Sequence, residues 1–194
     1  MKKILILLSF ILIFSLVGCM TNNTEKGKFD KLNKLIEKEY SLVDMSVKTT
    51  KDDLTLNSSY KIKKEDASYR VTYSIEKYNE LDLEGENSPS SKTVKTGELL
   101  YNGNSVTVIS GEDLNLSFSY FSISKFKVDE NDFSSYELLD NSFKGTIKNP
   151  NEYLQLTGIS NCQLEVSFNA NGVSRIKLSY DQNQYKVEVS FDLK

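Results

Sequence analysis

Residues 176–191 read IKLSYDQNQYKVEVSF, and this stretch decides the fold class of the chain. Apolar and polar residues alternate in both of its halves, and the polar residues 181–184 separate the two halves. Alternation with a period of two buries one side of an extended segment and leaves the other side in water, which is typical of antiparallel sheets. A short polar break between two such segments predicts a hairpin.

The same period of two recurs through most of the chain from Leu42 onward. Alternating segments occupy 54–62, 69–75, 114–120, 164–168, 176–180 and 185–191. The sequence Asn102-Gly103-Asn104 separates two further apolar segments and predicts a tight hairpin. Residues 79–92 are acidic and then Ser/Pro-rich, which indicates a long hairpin loop, and 127–136 is interpreted as a polar connection.

Two segments have helical signals. Phe29, Leu32, Leu35 and Ile36 fall on one helical face, which predicts a helix over about 27–40 that covers the sheet. Pro150 suits a first helical turn, and the flanking Asn149, Glu152 and Gly158 are capping and stop signals, so a short helix is predicted at about 150–157. The predicted fold class is therefore mainly β, with a curved antiparallel sheet or half-barrel meander, an N-terminal helix and one short helix near 150–157.

The first nineteen residues carry an export signal. Lys2 and Lys3 precede a run over 4–17 that is apolar except for two serines, too short to span a bilayer but suited to a signal peptide. The following Leu16-Val17-Gly18-Cys19 resembles the lipobox of bacterial lipoproteins. That resemblance implies cleavage before Cys19 and a diacylglycerol on its thiol, whose two acyl chains suffice for stable anchoring.

This interpretation divides the chain into three parts. We expect a signal peptide at 1–18, a lipidated tether at 19–28, and a single β-rich domain at 29–194. The mature chain would have 176 residues and a net charge of −5, against −3 for the full sequence. We expect it to sit outside the cytoplasm, attached to the cell membrane or outer envelope through Cys19. The mild negative charge disfavours nucleic acid or an anionic lipid surface as the main partner.

The order of elements over 27–194 resembles the LolA/LolB-like half-barrel carriers of bacterial envelopes. The features that contribute most are the short helix and the final meander over 149–193, after a lipobox, a tether, one helix and a long antiparallel meander. The resemblance implies a curved open sheet around an apolar hollow that helices partly close.

Composition excludes several kinds of chemistry. The chain has no histidine, so catalytic triads with a His base and His-containing zinc sites are impossible. It has no Gly-rich phosphate loop, and the acidic segment 80–86 matches a calcium loop poorly, because Ser91 stands where a bidentate Glu is needed. We therefore predict no catalytic residue, no metal site, no cofactor and no enzymatic activity. Cys162, in an alternating apolar segment, is interpreted as a buried hydrophobe.

Two functions remain open. In the first, the protein is a non-enzymatic carrier or receptor for a lipid or another apolar or amphipathic ligand, because two helices are few to cover so much apolar sheet. The residues predicted to line its site are aromatic: Tyr60, Tyr69, Tyr73, Phe118, Tyr120, Phe168 and Tyr180. In the second, the core is fully packed and the protein is a surface interaction module that binds protein or glycan. Whether the interior contains an apolar hollow or is fully packed distinguishes the two functions.

The lipobox makes a direct prediction. Replacing Cys19 with serine removes the thiol that accepts the lipid, so incorporation of radiolabelled fatty acid should be lost and an uncut precursor or a released protein should appear. A Cys162→Ser variant serves as the control and should label normally. Labelling of the Cys19→Ser variant would show that the lipobox interpretation is wrong.

Overall fold

The computed structural model describes residues 26–52, 54–79, 92–103 and 105–194. The predicted leader, Cys19 and most of the 79–92 loop, with its acidic cluster, lie outside these residues. The described chain forms one curved, unclosed antiparallel sheet of ten strands with two helices, one of them N-terminal. The predicted fold class is therefore confirmed.

The helices and strands follow one another with few long connections. The described part of helix α1 covers 26–36, and helix α2 covers Pro150–Leu154 between the seventh and eighth strands. The strands are β1 (Leu42–Lys51), β2 (Leu54–Glu65), β3 (Ser68–Asn79), β4 (Lys92–Asn102), β5 (Ser105–Ser110), β6 (Phe133–Leu138), β7 (Ser142–Ile147), β8 (Ile159–Phe168), β9 (Val173–Gln182) and β10 (Tyr185–Leu193).

The sheet consists of two five-stranded meanders joined at its centre. The spatial order is β5-β4-β3-β2-β1-β10-β9-β8-β7-β6, so the first and last strands of the sequence are neighbours. They pair in register from Val43 opposite Leu193 to Thr50 opposite Lys186. Both meanders therefore contribute their inward side chains to one continuous apolar face.

Helix α1 covers one end of this apolar face. Its four predicted apolar residues are all buried, and the ring of Phe29 packs edge-on against Tyr136 and Phe143. The helix ends near residue 36, earlier than predicted. The Tyr40 hydroxyl donates to the Leu35 carbonyl and accepts the Val173 amide, which ends the helix and attaches it to β9.

Helix α2 begins at Pro150, as predicted, but ends sooner. Gln155 adopts a left-handed conformation with φ of 53°, and its backbone amide bonds back to the last turn. The Asn149 side chain does not cap the helix. The Asn151 amide oxygen instead accepts the Ile159 amide and fixes α2 to the start of β8.

Three local expectations differ from the structure. Residues 114–120, predicted as a strand, contain a 3₁₀ turn at Phe118–Phe121, and Asn115 has a φ of 53° that no strand accepts. The segment 127–136, predicted to be a polar connection, contributes two side chains to the core, because Val128 and Phe133 are buried.

The third difference is in β2. Leu54 and Leu56 lie beyond the covered part of the apolar face and are each 37% exposed. Thr55, on the opposite side of the strand, is 6% exposed. The two leucines lie on the side of the strand that the alternation predicts to be apolar. The pattern does not tell how far along the strand this side is covered by other elements.

The join between the meanders generates a stability prediction. Phe191, near the C-terminal end of β10, is fully buried, and Phe191→Ala should cost about 3–5 kcal/mol through lost burial and a residual cavity. The control is Tyr185→Ala, on the same side of the same strand but 37% exposed, which should cost about 0.5 kcal/mol or less. Urea unfolding of the mature chain 19–194 measures both, and equal losses would contradict this account of the core.

Candidate functional site

A long connection crosses the apolar face between β5 and β6, and residues 112–128 of it are called the strap. It contains two 3₁₀ turns, at Phe118–Phe121 and Ser124–Phe126, and no strand. It starts after Gly111, whose φ is 77°. A Cβ there would lie 2.4 Å from the Thr96 carbonyl oxygen, so the turn into the strap requires glycine.

Hydrogen bonds fix the strap at both ends. At the first end, the Tyr73 hydroxyl donates to the Glu112 carbonyl and accepts the Glu112 amide, both at 2.8 Å. At the other end, the Asn33 side chain of α1 makes two 2.8 Å bonds to the backbone of Val128, and the Tyr153 hydroxyl of α2 donates to the Lys127 carbonyl. The strap is thus tied to the first meander, to α1 and to α2.

The Tyr101 hydroxyl of β4 donates to the Leu116 carbonyl, and from Phe118 onward the middle of the strap lies on the sheet mainly through ring contacts. Phe121 is 3% exposed and packs edge-on against Tyr60 and Tyr101. Phe126 is 1% exposed and packs edge-on against Phe191 of β10, with ring centroids 5.4 Å apart. Such contacts are apolar and weakly directional compared with the hydrogen bonds at the two ends.

Two clefts border the strap. The first, called the Phe118 cleft, has a volume of about 250 Å³ and separates the strap from the end of α1. Its apolar walls include Ile36, Val43, Ile62, Tyr69, Phe118 and Ile123, and its polar walls are Glu37, Lys38, Glu39, Ser122 and Ser124. The second, called the Lys125 cleft, has a volume of about 190 Å³; its walls include Met45, Val47, Tyr120, Lys125, Leu154, Leu156, Leu178, Tyr180 and Val189. Val43 and Met45 are successive inward residues of β1, so the clefts are close neighbours beneath one strap.

The structure places the seven predicted lining residues in different surroundings. Tyr69 and Phe118 stack at 4.2 Å beside the Phe118 cleft, and Tyr120 and Tyr180 line the Lys125 cleft. The other three are buried: Tyr60 lies under the strap, Tyr73 holds its first end, and Phe168 is part of the core and lines neither cleft.

Burial also perturbs the ionisable groups of this region. It raises the pKa of Tyr120, and the neighbouring Tyr60 and Tyr180 hydroxyls raise it further. Burial raises the pKa of Tyr180 and of Tyr60 as well. Burial lowers the pKa of Lys125 instead. In both residue types burial disfavours the charged form, which is the deprotonated form of tyrosine and the protonated form of lysine.

Several residues of the Lys125 cleft were not predicted from the sequence. Lys125 follows a serine-rich stretch and has no apolar pattern of its own, and Leu154 and Leu156 belong to the end of a predicted short helix that carried no predicted binding role. The one available signal was the apolar spacing of Phe121, Ile123, Phe126 and Val128, which indicates a segment lying on a core.

The opposite face of the sheet has a polar groove of about 520 Å³ at its centre. Its floor is a row of serines from four adjacent strands, Ser190, Ser46, Ser59 and Ser74, which the strand register places side by side. Lys48, Glu188, Lys177, Arg175, Asn57 and Glu76 flank the row. A second, more open part of about 440 Å³ continues along the same serines towards Asp44 and Lys61. The groove offers hydroxyls and charges of both signs to a polar ligand.

Among the residues that the structure describes, no group of three or more Asp, Glu or Cys side chains is placed to hold a metal ion. Within the same residues, no helix has the length and apolar character needed to cross a membrane. Every buried side-chain nitrogen or oxygen in this part of the chain has a hydrogen-bond partner.

No protein-family model matches the sequence, and no curated protein matches it. Among solved structures, the chain is similar to a redesigned beta barrel, mFAP1, bound to DFHBI. The two share 9% sequence identity with a TM-score of 0.23, over 84% of this chain and 98% of that chain.

Cys162 is a buried hydrophobe, as predicted. It is 1% exposed on β8, and burial raises the pKa of its thiol to about 12. Since the thiolate is the reactive form, burial keeps this thiol protonated and unreactive.

This burial leads to a labelling prediction. In the mature chain carrying Cys19→Ser, Cys162 should not react with a thiol-specific disulfide reagent at pH 8 until denaturant unfolds the protein. The control is an added cysteine at Ser105, on the exposed strand β5, which should react at once in the folded state. Rapid native labelling of Cys162 would contradict its placement in the core.

Proposed function

We propose that this protein is a lipid-anchored, non-enzymatic binding protein of the bacterial envelope that carries an apolar or amphipathic ligand beneath the strap. The anchor rests on the lipobox at Leu16-Val17-Gly18-Cys19. The observation that carries the proposal is the strap itself, a segment of irregular backbone tied at both ends and seated on an apolar sheet through its rings.

The sizes of the clefts support a site that opens. Small-molecule sites commonly measure about 300–1,000 Å³, and each cleft alone is smaller than that. Together they reach this range, and residues from the middle of the strap line both, Phe121 and Ile123 in the first cleft and Tyr120 and Lys125 in the second. A ligand that displaces Phe121 and Ile123 would replace the ring contacts with its own apolar surface, so the core would stay covered.

The fully packed alternative, a surface interaction module, is favoured by one observation, the serine-floored groove on the opposite face. Its hydroxyls and mixed charges suit a polar ligand such as a glycan. The two candidate sites lie on opposite faces of the same strands, so substitutions can separate them.

A bulky substitution in the Lys125 cleft tests the carrier function. Val47 is partly buried and lines the cleft, and Val47→Trp should fill it and weaken binding of the neutral apolar dye Nile red by at least about tenfold. The matched control is Val106→Trp, which adds the same bulk on β5 and should leave dye binding unchanged. Fluorescence titration of the mature chain 19–194 measures affinity, and urea unfolding shows whether each variant keeps its fold.

The outcomes separate the two functions. A native protein that binds no dye, or a Val47→Trp variant that binds it as well as wild type, would remove the carrier function. Binding of a soluble glycan that is lost on Ser59→Leu and kept on Val47→Trp would support the interaction module.

A further inference from the structure

We propose that the Lys125 ammonium binds the anionic head group of an amphipathic ligand whose apolar chain occupies the Lys125 cleft. The inference rests on the proposed carrier function and adds the chemical class of the ligand. Its basis is the arrangement of one cation among the otherwise apolar and aromatic walls of a cleft.

Lys125 lies in the second 3₁₀ turn of the strap, and its ammonium stands over three aromatic rings. The Nζ atom is 5.6 Å from the ring centre of Tyr120, 5.2 Å from that of Phe126 and 6.0 Å from that of Phe191. The Lys125 Nζ atom also donates a hydrogen bond to the Tyr120 carbonyl, at 3.0 Å. Lys125 is exposed as a whole residue, while its ammonium lies against the three rings and has lost part of its hydration.

Lys125 differs from Lys127, the other lysine of the strap, and from Lys95 beside its first end in having no carboxylate partner within the described part of the chain. Lys127 pairs with Glu37, and Lys95 pairs with Glu112. No ion pair of Lys125 is found among the described residues. Ring faces attract a cation but leave its charge uncompensated, and the lowered pKa of Lys125 reflects the hydration that it has lost. An anion at this position would compensate the charge.

The walls next to Lys125 suit a hydrocarbon chain. Leu154, Leu178 and Val189 line the cleft behind the ammonium. Leu156, beside them, is 43% exposed. The left-handed turn at Gln155 and a hydrogen bond from the Leu156 amide to the Asn151 carbonyl fix its position. The ammonium keeps donors beyond the one given to Tyr120, and a carboxylate or phosphate accepts such bonds more strongly than a neutral group does.

The net negative charge of the chain does not oppose this site. It disfavours adsorption to a surface of many anionic head groups, which requires a broad basic patch. One anion held by one desolvated ammonium depends on local geometry. The ligand class is therefore a single-headed anionic amphiphile, with either a carboxylate or a phosphate head.

The test compares probes that share a chain and differ in head group. Sodium decanoate, decyl phosphate and neutral decanol are titrated by displacement of Nile red from the complete mature chain 19–194. We expect the two anions to bind more tightly than decanol, and Lys125→Met to weaken the anions about tenfold while leaving decanol unchanged. Lys125→Arg should keep the preference for anions, and the control Lys186→Met, at an exposed position of β10 outside both clefts and the polar groove, should change nothing.

The ratio of decanoate to decanol affinity within each variant keeps the test valid even if Lys125→Met loses some stability. If decanoate and decanol bind wild type equally, or if Lys125→Met weakens both alike, Lys125 only packs on the rings and the inference is overturned while the carrier function stands. If no probe and no dye binds, the carrier function and the inference both fail. Tighter binding of decyl phosphate than of decanoate would assign a phosphate head group, and the reverse order a carboxylate.

Discussion

The pairing of β1 with β10 is the interaction on which the rest of the structure depends. Eight residue pairs join strands that are about 140 residues apart in the sequence, and reciprocal bonds between Leu42 and Lys194 extend the ladder at one end. Without this join the protein would be two separate five-stranded meanders, each with an apolar side too narrow for the strap. With it, Met45 of β1 and Phe191 of β10 form a continuous surface, and Phe126 of the strap packs on it.

The strap completes the core because its contacts reach both meanders. Tyr73 of β3 holds its first end, and Asn33 of α1 and Tyr153 of α2 hold the other. The ion pairs of the sheet contribute less, because they lie at the surface, where a typical pair adds about 0–1 kcal/mol. Stability therefore depends on apolar contacts that converge on the join, and the candidate clefts occur where these contacts are least complete.

Much of the fold could be predicted from local patterns. Alternation identified β2, β3 and β8 to β10, and Asn102-Gly103 identified the β4–β5 turn, because each of these depends on neighbours in sequence. The same pattern failed at 114–120, since an extended segment lying flat on a sheet buries alternate side chains much as a strand within the sheet does. The β1–β10 pairing could not be predicted, because nothing local links strands at opposite ends of the chain. For the candidate site, alternation found aromatic residues such as Tyr120 and Tyr180, but Lys125 acquires its role only when the strap places it over rings from other elements.

The central position of the β1–β10 pair has a consequence for how the protein is made. As the chain emerges, from the ribosome or from an export channel, β1 appears early, and its partner is complete only when residues 185–193 have followed. Loop closure over this separation is slow and costs entropy, while each hairpin of the two meanders can form locally. Until the last strand arrives, β1 has one unpaired edge in the middle of an apolar surface, which is the kind of edge that pairs with other chains. A chain that lacks β10 would therefore not simply lose an edge strand of the sheet. It would leave unpaired strand edges at the middle of the sheet, and proteases and chaperones could recognise it as unfinished.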